Sequence, residues 1–128
     1  MTDIFGPVIH SYSRAQAIED GALVAVSPED AAEAGFRYPV ALTAAAHADA
    51  VAWDHGGFQD EAGRLWDVLW MARLAAGCAS GGSRLVYTLL RVPNEAGKDE
   101  PEMTTLVLHI GPGDELEPVM TVMTPGED

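Results

Sequence analysis

Apolar residues along this chain follow two rhythms. Up to about Ala76 they come in runs broken by helix caps, and from Arg84 onward they recur at strand spacing. Ser13 with Gln16 three residues on matches a capping box, so a short helix is expected to about Asp20, stopped by Gly21. Leu23–Val26 is brief, apolar and β-branched, and predicts a short strand. Ser27-Pro28-Glu29-Asp30 supplies a cap hydroxyl, a proline at the first helical position and acids at the positive end of the dipole. That second helix is short, because Gly35 follows Ala34. Tyr38 precedes Pro39 and is therefore expected to be extended. Pro39–Trp53 is rich in alanine and reads as one helix, ended by Asp54-His55-Gly56-Gly57. Glu61–Ala76 is the best-defined helix, closed by Gly77, and Ser80-Gly81-Gly82-Ser83 predicts a flexible joint.

Beyond the joint, Arg84–Val92, Met103–Ile110 and Val119–Met123 read as strands. Short connections favour antiparallel neighbours. The expected fold is therefore α+β: a helical N-terminal half packed on a C-terminal three-stranded antiparallel β-meander, one domain over residues 1–128. In the second strand Leu106, Leu108 and Ile110 point one way, and Thr105, Val107 and His109 the other.

Charge changes the picture most. Twenty acidic against seven basic side chains give a formal net charge of −13. Such a surface repels phosphate backbones, so direct nucleic-acid binding is disfavoured and a basic protein partner is favoured. Solubility alone would also account for the acids. The single cysteine, Cys78, excludes an internal disulfide scaffold. Met1–Pro7 lacks a basic stretch followed by an apolar run, and no segment reads as a membrane span, so a cytoplasmic location is expected.

Candidate chemistry is sparse. On the Glu61–Ala76 helix, Arg64, Asp67 and Met71 fall on one side, while Leu65, Trp66, Leu69 and Trp70 spread over the other. Arg73 lies within that apolar arc, where it either snorkels outward or stacks on indole to hold an anion. Trp53, Trp66 and Trp70 are read as core, an exposed one being a binding anchor. His47, Asp49, Asp54 and His55 cluster without metal-site spacing, and no metal or cofactor is expected. Arg84, Tyr87, Arg91 and His109 would suit metal-free RNA cleavage if they converged, but strand parity sets Arg84 apart from Tyr87 and Arg91. No nucleophile elbow or phosphate loop is present.

Four stretches carry a resemblance: Tyr12-Ser13-Arg14-Ala15-Gln16-Ala17, the run from Ala34 to Thr43, Gly63-Arg64-Leu65-Trp66-Asp67-Val68-Leu69-Trp70-Met71-Ala72, and Gly111-Pro112-Gly113-Asp114. The chain resembles a bacterial domain-of-unknown-function family found on plasmids, phages and integrative elements. The resemblance brings no catalytic residues. It implies an accessory protein of mobile DNA, of a kind that often acts by binding, in counter-defence or by mimicking DNA. Expected binding residues are Glu95, Asp99, Glu100 and Glu102 on one loop and Asp114, Glu115 and Glu117 on the next, with Trp66 and Arg73. The leading expectation is a non-enzymatic acidic protein that engages a basic partner. The alternative is a small ribonuclease or toxin-like enzyme.

Overall fold

The computed structural model describes residues 12–78 and 82–127. The irregular start expected before Tyr12, and Ser80 and Gly81 of the joint, lie outside these residues. Elements follow in the order α1 (Arg14–Asp20), β1 (Leu23–Ala25), α2 (Pro28–Ala34), β2 (Val40–Thr43), α3 (Ala44–Ala50), α4 (Glu61–Cys78), β3 (Arg84–Arg91), β4 (Glu102–Pro112) and β5 (Pro118–Met123).

The local punctuation acts where the caps lie. Ser13 and Gln16 form a reciprocal capping box on α1, and Gly21 closes the helix in the left-handed region at φ 85°. Ser27 caps α2, and Gly35 ends it at φ 99°.

The sheet corrects the expected architecture. The expectation of a helical half over a three-stranded C-terminal meander is overturned by one five-stranded sheet ordered β1-β2-β5-β4-β3. β2 runs parallel to β5, whereas β1–β2, β5–β4 and β4–β3 are antiparallel. Two strands thus come from the N-terminal half, interleaved with its helices.

The discrepancy centres on β2, whose residues read as the start of one long alanine-rich helix. Val40, Ala41 and Leu42 are all buried, because β2 lies inside the sheet and is covered on both faces. A strand buried on both faces shows no alternation, so its apolar run is indistinguishable from a buried helix turn. Thr43 marks the true boundary: its hydroxyl accepts from the Ala46 N–H at 3.1 Å and caps α3.

The core forms where α2, α3 and α4 meet one face of the sheet. Leu42, Val68, Leu69, Ala72, Leu106, Leu108 and Val122 are buried in one cluster. Truncating a fully buried leucine such as Leu106 to alanine costs about 2–5 kcal/mol. No helix among the described residues is long and apolar enough to cross a membrane.

Candidate functional site

The site is organised by α4 and by β3, the strand at one edge of the sheet. The buried face of α4 is made by Arg64, Val68, Leu69 and Ala72. This is not the arc that apolar composition marks out. Trp66 and Trp70 are 39% and 42% exposed, and their rings stack with centroids 5.7 Å apart and planes 12° apart. The helix is rotated from the expected orientation because Arg64, only 2% exposed, has work to do in the interior.

That work is carbonyl satisfaction. Arg64 Nε donates to the Val51 carbonyl at 2.9 Å, and its Nη1 donates to the Val92 carbonyl at 2.9 Å and to Gln59 Oε1 at 3.0 Å. Its guanidinium carbon sits 5.1 Å from the Trp53 ring centroid. The Val51 and Val92 carbonyls belong to chain ends leaving α3 and β3 and would otherwise lose this buried donor. Arg64 is held below its ordinary pKa by burial first and by the charge of Arg91 second, with Glu61 opposing.

Arg91 repeats the device one turn away. Its Nη1 donates to the carbonyls of Ala50 at 3.1 Å and Arg64 at 3.2 Å, and its Nη2 pairs with Asp67 Oδ2 at 2.8 Å. Arg91 is therefore a buried fastener between α3, α4 and β3. Tyr87 lies on the same face and donates its hydroxyl to the Val68 carbonyl at 3.3 Å, and burial pushes its pKa up.

The four residues of the RNA-cleavage alternative do not converge. Tyr87 and Arg91 face α4, whereas Arg84 and His109 are cross-strand neighbours of the opposite parity. Arg73 does not sit in a buried apolar arc. It is exposed, and its Nε donates to the Gly35 carbonyl at 3.3 Å, at the end of α2. His55 packs edge-on against Trp53, with centroids 5.2 Å apart. Among the described residues no three His, Cys, Asp or Glu side chains gather as metal ligands.

The two acidic loops separate. They leave opposite ends of β4, whose 11 residues span about 35 Å at strand rise. β4 itself carries no acidic side chain between Glu102 and its end at Pro112. At the far turn, Asp114 accepts the Arg14 and Ala15 N–H groups at 2.7 and 3.0 Å, closing the first turn of α1. Glu117 accepts the Glu115 N–H at 2.9 Å within its own turn. At the near loop Glu95, Asp99 and Glu100 are exposed, and Glu102 pairs with Lys98 at 3.0 Å.

Beside that near loop runs a groove of about 420 Å³ between α4 and β3. Trp70 and Met71 form one wall, Thr88 to Arg91 the other, and Asp67 and Met103 also line it. Leu90 and Met103 are 59% and 67% exposed. A second hollow of about 310 Å³ continues from it, sharing Arg91 and Met103, and is lined by Asp49, Glu95 and Glu102. An apolar trough thus opens into an acidic end.

Its lining ties together two of the stretches that carry the family resemblance or its expected site, the Trp66–Met71 run on α4 and the acidic loop after β3. A family model matches residues 1–128. The chain belongs to DUF6573, a family of unknown function. No curated protein and no solved structure matches it. The features of this DUF6573 chain that escaped sequence reasoning are the groove itself and Asp49. In sequence Asp49 neighbours His47, without metal-site spacing, and only the fold brings it onto one lining with Glu95 and Glu102.

Proposed function

We propose that this protein is a non-enzymatic binding module that docks a basic protein partner along the groove between α4 and β3. The observation that carries the reading is the continuity of an apolar trough, walled by Trp70, Leu90 and Met103, with an acidic end at Asp49, Glu95 and Glu102. Tryptophan is enriched among the residues that dominate interface binding energy, and methionine is enriched in interface cores. The acidic end sets orientation and association rate for a cationic partner. The net charge of −13 adds a long-range field of the same sign.

DNA mimicry fits less well, because the acidic turns sit at opposite ends of β4 and Asp114 is bound to α1. An accessory role on mobile DNA, acting in the cytoplasm on a basic host protein, is the setting this reading favours. Basic proteins retained from a host lysate at low and high salt, by wild type and by a Glu95→Lys/Glu102→Lys variant, test it. Retention at low salt that the variant loses supports the reading. Equal retention by both forms, or none by either, contradicts it.

A further inference from the structure

The backbone of β3 carries information about what form the partner takes. The Ile110 N–H donates to the Ser83 carbonyl at 2.8 Å, and Arg84 lies opposite His109. Hydrogen-bonded pairs alternate along an antiparallel ladder. Leu85, Tyr87, Leu89 and Arg91 therefore exchange bonds with β4, while Val86, Thr88 and Leu90 turn their N–H and C=O groups to the open edge. The other side of β4 agrees in phase, since the Gly113 N–H donates to the Glu117 carbonyl at 2.6 Å, two pairs beyond Gly111–Val119 along the same ladder. Val86 and Leu90 are exposed, as is Thr88. Natural sheets commonly blunt such an edge with a proline or a bulge. Here none interrupts Arg84–Arg91, whose pairing with β4 is unbroken. Among the described residues, the Leu90 carbonyl accepts from Arg91 Nε at 3.1 Å.

We propose that the partner binds as an extended segment that adds a sixth strand to the sheet at β3. Its apolar side chains lie against Trp70 and Met71, and its Lys or Arg residues sit at the Asp49–Glu95–Glu102 end. This rests on the reading of the groove as a docking surface and specifies the occupant. Charge complementarity selects it. Among the described residues that line the trough, the one cation is Arg91, which is paired with Asp67; at the far end Lys98 pairs with Glu102, and Asp49 and Glu95 leave that end net negative, so the surface offered is apolar and then anionic. A second copy of this chain, also at −13, meets repulsion at the same edge. Main-chain bonds to Val86, Thr88 and Leu90 would supply affinity, and the trough and acidic end would supply choice of sequence.

Selection from a display library of random linear peptides, followed by residue-resolved hydrogen exchange of the intact protein with an enriched peptide, tests the proposal. Enriched peptides are expected to carry apolar residues at alternate positions and Lys or Arg at one end. On binding, exchange at Val86, Thr88 and Leu90 is expected to slow by at least about tenfold, with little change at Leu85, Tyr87 and Leu89. Thr88→Pro removes an outward N–H that the ladder does not use, and is expected to weaken binding about tenfold. If Glu95→Lys/Glu102→Lys abolishes binding but the three outward amides gain no protection, the groove docks its partner in another form and the strand proposal fails alone. If enriched peptides bind regardless of that charge reversal, or none is enriched, both readings fail. A protein that is already dimeric with those amides protected also overturns the proposal.

Discussion

The two acidic turns at the ends of β4 look alike in sequence and differ in the folded protein. In the turn after β4, the carboxylate of Asp114 is spent on the α1 N–H groups, and that of Glu117 on its own turn. Arg14 reinforces this end by donating to Thr121 Oγ1 and to the Met120 carbonyl, each at 2.8 Å. In the loop before β4, Glu95, Asp99 and Glu100 remain exposed, and Glu95 lines the acidic hollow. Formal charge is the same kind of quantity at both ends. Charge available to a partner is not, because a carboxylate that already accepts two backbone bonds is part of the scaffold.

The comparison can be broken most severely from beneath the solvent-facing end. Arg91→Met removes the donor to the Ala50 carbonyl at the end of α3 and the partner of Asp67, and is expected to cost about 3 kcal/mol in urea unfolding. A cost under about 0.5 kcal/mol would show that the fastener is dispensable. Next in size, Asp114→Ala should destabilise the fold by about 1–2 kcal/mol, through lost bonds to the first turn of α1. Removal of the exposed carboxylates by Asp99→Asn or Glu100→Gln should change stability by less than about 0.5 kcal/mol. Equal losses at both ends would erase the distinction.

The smallest effect concerns pH. For Glu127, burial favours the neutral acid. Bonds from the Thr43 hydroxyl at 2.6 Å and the Thr124 N–H at 2.8 Å outweigh it and hold its pKa below the ordinary value of 4.5. A depressed carboxyl stabilises the fold above its unfolded pKa, and the contribution is lost as pH falls through the folded value. Glu127→Gln should therefore flatten the acid limb of the stability profile below about pH 4.5 and lower stability slightly at neutral pH. An unchanged acid limb would show that these bonds do not favour the ionised form.

Legibility followed range. The caps at Ser13, Gly21, Ser27 and Gly35 were readable because each acts within a few residues. The three C-terminal strands were readable as strands because turns bound them. β2 was not, because its burial on both faces erases the alternation that marks a strand. The orientation of α4 was not either. Two tryptophans outweigh one arginine in any local tally, yet the carbonyls that place Arg64 inside come from residues 51 and 92, far along the chain. The groove inherits that difficulty, since it exists only because α4 turns its tryptophans outward beside an edge strand.

The most direct measurement is a chemical-shift map of the intact protein titrated with a lysine-rich linear peptide. Shifts gathered at Asp49, Asp67, Trp70, Thr88–Arg91 and Glu102–Thr104, with the 113–117 turn silent, are the expected result. Shifts centred on that far turn, or spread evenly over the acidic surface, would contradict a dedicated docking groove.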